Sequence, residues 1–540
     1  MVWFSAVRKP DGSCCQVISG KASDAVAWGA YTKGVETTGW DIMEVATNSS
    51  APSQDAGFAA GLLEGYATQP RIYAAFENFA AFFFPKANRT VANACVLDFV
   101  EAQWAWMEQQ VAGACPGDNC TYWQHVGVSL QQARGVHAGY LLAAPAAQAL
   151  SWQQVYQLTN AGDLEDLLRA FPDDSCPQEG PGGWRAARDA IQDPSAAEWA
   201  ALADAGSVPV GVRLGMHCSG FVRLTGGASP DILTGHTTFN ALEFMLRVYK
   251  VYNMPIAGAV ARVSSFSARP GDLHSKDDWY ALSSNLTVIE TSLTVFNRSS
   301  YAALRPATVP CWVRVSVANR LGASAPGWAG VFTAHASGTH NNDWIVTDYN
   351  ALGRGPGAPL AHRVEEMPGV VRSWDASPAL RADGFLFSVN IPNDTLIDVV
   401  SGYSRTGLNL TTDPRARIFR RDAHGVTDLP SLRDLMTSNR YQTDPISAGD
   451  PCNAISARCD LPAADGSRHT PYAFGGIDAK LINRANLVDP EGPIALVQSG
   501  PSHAEQPAFS FAQWESVPHA GMPERWDFSF ETIQPVTSTD

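Results

Sequence analysis

At 540 residues the chain is too long for one small core, but it can form three or four ordinary units or one large α/β body. Apolar residues make up 45% of it and charged residues only 17%, so it has material for a packed interior and is not a disordered polypeptide. With 38 Lys and Arg against 53 Asp and Glu the net charge is −15, which repels phosphate backbones and argues against a nucleic-acid partner. No run of 18 apolar residues occurs; Tyr140–Leu150 and Ala74–Phe84 are too short or interrupted, so no transmembrane helix is expected.

In chain order, the opening MVWFSAVRKPDGSCC places Arg8 and Lys9 after only a few apolar residues and has no signal-peptide core. Either a signal peptide has been removed or the start is truncated. The first 170 residues read as helices. Leu97, Val100, Trp104, Met107 and Val111 line one helical face, Tyr122–Leu142 continues in similar style, and Asp163–Phe171 opens with an acidic first turn. Core packing accounts for these stripes. Residues 172–183, PDDSCPQEGPGG, read as a linker, and Ser195–Ala205 as a further helix. Beyond Gly215 the pattern turns to strands rich in Thr, Val, Ile and aromatics, with helices expected at Asn240–Val251 and Pro310–Leu321.

Ten cysteines are too few for a disulfide-dense mini-fold. Cys115/Cys120, across a turn-rich CPGDNC, and Cys452/Cys459 are expected as local bridges; no four-ligand zinc pattern accompanies either pair. Adjacent Cys14 and Cys15 are not expected to bond to each other. Cys95 and Cys311 suit inert buried thiols. Seven sequons, at Asn48, Asn88, Asn119, Asn285, Asn297, Asn393 and Asn409, suggest a glycoprotein that passes through the secretory route.

There is no G-x-S-x-G elbow, Walker A loop, H-E-x-x-H helix or G-x-G-x-x-G turn. Cys218 remains, in LGMHCSGFVRL, at the first residue of an expected strand. Freed at a chain terminus by cleavage, it would be a nucleophile carrying its own base, since an α-amino group titrates near about 7.7–8.0. The competing reading is a buried structural cysteine.

Ordered matches run along the whole chain: GDLEDL (162–167), CSGF at Cys218, GHTTFNALEFMLRVYK (235–250), DDWYALSSNLTVIETS (277–292), VANRL (317–321) and SGTHNNDWIVTDY (337–349), followed by PRARIFRRD (414–422), NAISARCDL (453–461), GGID (475–478) and HAGMPERWDFSFETIQP (519–535). With these the chain resembles the phospholipase B-like (lamina ancestor) family of N-terminal nucleophile hydrolases, closest to its type 1 branch. The resemblance implies an α+β fold, a four-layer αββα sandwich with a largely helical N-terminal segment. It implies autocatalytic cleavage between His217 and Cys218, leaving chains 1–217 and 218–540 associated in one body. A homodimer is left open, no cofactor or metal is called for, and a secreted or lysosomal location follows.

The expected activity is hydrolysis of acyl esters in phospholipids or lysophospholipids by Cys218. The alternatives are N-acyl amide hydrolysis at the same site and a catalytically silent glycosylated luminal binding protein. His236 either polarises the region of the thiol or is hydrogen-bonded within the sheet. Asn341 or Asn342 either donates to an oxyanion or shapes a turn. Arg421, with Asp422, either serves the site or forms a structural ion pair. Thr237, Thr238 and Asn240 are expected in the pocket. An enzyme also needs open space beside the Cys218 sulfur.

Overall fold

The computed structural model of the uncleaved chain describes residues 1–85, 89–113, 120–172, 183–203, 218–227, 229–466 and 470–536. Two sheets stack face to face. The larger has eleven strands in the order Val370–Asp375, Ala361–Met367, Asn342–Asp348, Leu286–Ser292, Trp279–Leu282, Val263–Ala268, Val248–Asn253, Asp41–Thr47, Ala27–Thr32, Val2–Val7 and Gln16–Ser19. Its neighbours are antiparallel except for the parallel pair Asp41–Thr47 and Val248–Asn253. The smaller has six antiparallel strands in the order Phe385–Ser388, Ser219–Leu224, Ile232–Thr237, Asp478–Asn483, Ala495–Ser499 and Glu531–Ile533.

Side chains alternate across a strand, so each sheet offers one face to the other sheet and one to helices. Between the sheets, Trp279, Ala281, Ile289 and Ile345 pack on Val222, Ile232 and Ile482. On the far face of the larger sheet, Tyr280, Val288, Trp344 and Val346 are covered by helices Ser53–Ala67, Cys311–Leu321 and Ala325–Phe332, through Ala59, Leu63, Val315 and Trp328. On the far face of the smaller sheet, Phe221, Leu233 and Leu481 meet Phe419 and Leu432 of helices Pro414–Asp422 and Leu429–Met436. Each large side chain buried this way contributes about 1.5–3 kcal/mol of transfer free energy. The layers are helix, sheet, sheet, helix: an α+β sandwich, as the resemblance implies.

Two local expectations change. The N-terminal segment is largely helical only from Ser53; residues 2–47 hold four strands that complete the larger sheet. Asn240–Val251 is not a helix but strand Phe239–Ala241, a 3-10 turn at Leu242–Phe244 and strand Val248–Asn253. Val248, Tyr249, Lys250 and Val251 are all buried, because a central strand is covered on both faces and loses the alternation that marks a half-exposed one. Helices Ala94–Gly113, Cys120–Ala143, Ala161–Ala170, Ala196–Ala203 and Cys311–Leu321 lie where helices are expected from the sequence. The linker expected at 172–183 falls outside the described residues except for its two end positions.

Cys452 and Cys459 are bonded, as expected. Cys14 and Cys15 are bonded to each other, against expectation. Cys95 is not a free thiol but disulfide-bonded, as is Cys120; Cys115 and Cys176 lie outside the described residues. Cys218 and Cys311 are free and buried. Of the sequon asparagines, Asn393 and Asn409 are exposed and Asn48, Asn285 and Asn297 half-buried, while Asn88 and Asn119 are not described. No helix among the described residues is long and apolar enough to cross a membrane.

Candidate active site

Cys218 directly precedes strand Ser219–Leu224, whose Phe221 and Val222 suit a buried pleated surface. The neighbouring strand pairs Gly220 with His236 and Ser219 with Thr237. Gly220 lies tight against the other sheet: a Cβ there would sit 3.3 Å from Ile289 and 3.7 Å from Thr291. The start of the strand is thereby held at the junction of the two sheets. There the Cys218 thiol donates to Asp278 Oδ2 at 3.0 Å. Its sulfur, a ring nitrogen of His236 and a carboxylate oxygen of Asp278 all lie within 4.8 Å of one another. The Cys218 carbonyl accepts from the Arg415 guanidinium, which also donates to Asn390 Oδ1 at 3.0 Å and the Val389 carbonyl at 2.7 Å.

Seven described non-glycine residues have left-handed φ, and four belong to this neighbourhood: Cys218 (93°), Asp278 (67°), His340 (52°) and Asn390 (63°). Each such conformation costs on the order of 1–3 kcal/mol and persists only where surrounding contacts enforce it. Backbone strain is therefore concentrated at Cys218 and its partners. Cys218 itself is 0% exposed, against the expectation of an accessible sulfur, so in the uncleaved chain no external substrate reaches it.

Burial pushes the Cys218 thiol well up, and the negative charge of Asp278 and Glu290 adds to the effect. The sulfur therefore keeps its proton. Burial also pushes Asp278 up to about 6, opposed by neighbouring Glu290 and the Lys276 ammonium. Glu290 is pushed well above the usual carboxyl range by burial and by the neighbouring Asp278. A carboxylate oxygen of Asp278, one of Glu290 and a ring nitrogen of His340 lie within 4.8 Å of one another. Burial keeps His236 neutral. Its Nε2–H donates to the Glu290 carbonyl at 2.8 Å, leaving Nδ1 with no partner among the described residues.

A buried ion cluster anchors the turn that presents Asp278. Arg247 donates to Asp277 and to Asp478, the latter at 2.6 Å. Lys480 Nζ reaches both Asp478 oxygens at 2.8 Å, Thr238 Oγ1 at 2.6 Å and the Asp277 carbonyl at 3.0 Å. Two cations face two carboxylates, so the formal charges cancel. Desolvated ions are tolerated on this condition of close pairing and hydrogen bonding.

The Phospholipase B family profile matches residues 27–533. This chain belongs to the phospholipase B family. Phospholipase B-like protein B of Dictyostelium discoideum is 31% identical over 531 residues, covering 95% of this chain and 86% of that protein. Phospholipase B-like 1 of Homo sapiens is 31% identical over 554 residues, covering 100% and 92%. Phospholipase B of Crotalus adamanteus is 29% identical over 525 residues, covering 94% and 88%.

In this phospholipase B family chain, Cys218 and His236 come together. Among the sequence-derived candidates, Thr237 donates to the Met436 carbonyl at 2.7 Å. The Thr238 hydroxyl donates to the Asp277 carbonyl at 2.8 Å, and its amide to Asp478 at 2.9 Å. Asn240 is buried in strand Phe239–Ala241, paired with Phe474–Gly476, and its Oδ1 accepts from the Ala241 amide. Asn341 is not free to serve an oxyanion in this arrangement, because its amide hydrogens are committed to Asp166 at 2.9 Å and the Gly338 carbonyl at 3.1 Å. The buried Asn342 amide has no partner among the described residues. Arg421 follows the second of its two readings: its side chain is 43% exposed and held by Asp422 and Asp444 in a surface ion-pair arrangement. The same helix reaches Cys218 through Arg415 instead. His217 lies outside the described residues.

Sequence reasoning missed Asp278, Glu290, Arg415 and the ion cluster. One signal was available: Asp277, Asp278, Glu290, Arg247 and Lys480 are charges inside runs otherwise typical of buried strands.

Proposed function

We propose that the chain is an acyl hydrolase that matures by cutting itself before Cys218 and then uses that residue as an N-terminal nucleophile on acyl esters of phospholipids or lysophospholipids. The carrying observation is a strained Cys218 at the start of a sheet strand, with its thiol already hydrogen-bonded to a carboxylate, in a chain of the phospholipase B family. In maturation the sulfur attacks the carbonyl carbon of residue 217 as its proton passes to Asp278. The peptide C–N bond breaks, the nitrogen takes a proton to become the Cys218 α-amine, and water hydrolyses the resulting thioester.

In turnover the freed amine takes the thiol proton, the thiolate attacks the ester carbonyl, and water releases the acid from the acyl-enzyme. The unpartnered Asn342 amide is the stronger candidate of the two asparagines for an oxyanion donor, worth roughly 3 kcal/mol if aligned. Chains 1–217 and 218–540 would stay together. The parallel pair joins Asp41–Thr47 to Val248–Asn253, and buried Lys250 donates to buried Glu64 at 2.6 Å. Seven sequons support a secretory or lysosomal route.

Because the maturation base is a carboxylate raised to about 6, self-cleavage is expected to slow as pH falls through 6 and to level off above it. Asp278→Asn should remove that pH dependence and slow cleavage by about 10²–10⁴-fold. A gel time course of uncleaved protein at graded pH measures both, and cleavage that accelerates below pH 6 would remove Asp278 from the role. Substrate class is tested with phosphatidylcholine vesicles, lysophosphatidylcholine micelles and an N-acyl amide of equal chain length. Fatty acid release from the esters is expected; release from the amide alone selects the amide hydrolase, and release from none selects the silent binding protein.

A further inference from the structure

We propose that this chain binds zinc through Cys218, His236 and Asp278. Cysteine sulfur, imidazole nitrogen and carboxylate oxygen form a mixed donor set that suits zinc, whereas magnesium and calcium take oxygen donors. Zn–S bonds of about 2.3 Å and Zn–N or Zn–O bonds of about 2.0 Å hold tetrahedral ligand atoms roughly 3.3–3.5 Å apart. The three donor atoms here lie within 4.8 Å of one another, and the sulfur and Asp278 Oδ2 are already 3.0 Å apart. Side-chain shifts of about an ångström or less close the site at the bond lengths stated.

The surroundings are those of a ligand shell. A metal-bound histidine ordinarily donates its other ring N–H to a carbonyl or carboxylate, which fixes the tautomer and orients the ring. His236 does so through Nε2 to the Glu290 carbonyl, and its buried Nδ1 has no partner among the described residues. Such an orphan costs about 1–3 kcal/mol, so an electrophile bound to Nδ1 relieves a cost present in the metal-free protein. Binding needs no redox partner: the thiol releases its proton to water, and S–Zn–O replaces the S–H···O hydrogen bond. Three protein ligands leave the fourth position to water. Where the hydrolase reading holds, a zinc-bound sulfur is withheld from attack, so the ion restrains maturation; this consequence rests on that reading, while the binding does not.

The test uses purified full-length protein titrated with Co²⁺ as a spectroscopic substitute for zinc. One equivalent is expected to produce cobalt–thiolate charge-transfer absorption that one equivalent of Zn²⁺ removes. Cys218→Ser should abolish the band, Asp278→Asn should weaken cobalt binding at least about tenfold, and Cys311→Ser, which alters the other described free thiol, should keep it. No band in the wild type, or a band surviving in Cys218→Ser, overturns the proposal. A chain that begins at Cys218 but gives no band loses the metal site and keeps the hydrolase. A band in a chain that never cleaves supports the site and counts against the maturation reading.

Discussion

Cys218→Ala is expected to yield a single uncleaved 540-residue chain with acyl hydrolysis reduced at least about 10⁴-fold. Both losses follow from one atom: the sulfur that attacks the preceding carbonyl is also the one that attacks the substrate. The fold should survive. A buried sulfur is removed from a well-packed site, at a cost of about 1–2 kcal/mol, and the far larger sheet core is untouched. A gel and a fatty acid release assay on the same preparation read the two effects together. Cys218→Ser keeps the shape and a weaker nucleophile, so slow residual cleavage is expected from it. Wild-type hydrolysis by Cys218→Ala would remove this residue from the chemistry.

Arg247→Ala is expected to cost about 3–5 kcal/mol of stability, the range for breaking a buried charge cluster by removing one partner. Arg247 is fully buried and is shared between Asp277 and Asp478. Without it, Asp478 would keep Lys480, the Asp277 carboxylate would lose its cation, and the turn leading into Asp278 would lose its anchor. Arg247→Lys should recover only part of the loss, because both bonds leave from Nη2 at the tip of the guanidinium, and an ammonium loses the guanidinium's position over the Trp40 ring. The urea midpoint of each variant measures the difference. An unchanged midpoint in Arg247→Ala would contradict the buried cluster described above.

How much could be read from the sequence varies with how local the determining physics is. Helix Ala94–Gly113 was legible because its apolar stripe is written at helical spacing and faces a single core. Strand Val248–Asn253 was not, because both of its faces are buried and its apolar run carries no period. Strand Ala27–Thr32, AWGAYT, lacks a decisive local signal; its place in the sheet comes from pairing with Val2–Val7 and Asp41–Thr47.

The site shows the same division. Cys218 could be found at the head of a strand-like run within a family-like motif. Asp278 could not, since sixty residues separate it from the sulfur and only the stacking of two sheets brings them within 3.0 Å. Arg415 and Arg421 illustrate the limit within one helix. Six residues at about 100° per residue turn the second roughly 240° from the first, so one faces the Cys218 carbonyl and the other faces solvent. Composition cannot distinguish two arginines of one helix; the packing of Ile418 and Phe419 against the smaller sheet does.

The most direct measurement is the amino-terminal sequence and intact mass of each polypeptide in catalytically active wild-type protein. A fragment starting at Cys218 that co-purifies with the amino-terminal piece is predicted. Active material consisting only of the unbroken chain, or cut so that Cys218 is left inside a fragment, would contradict the account.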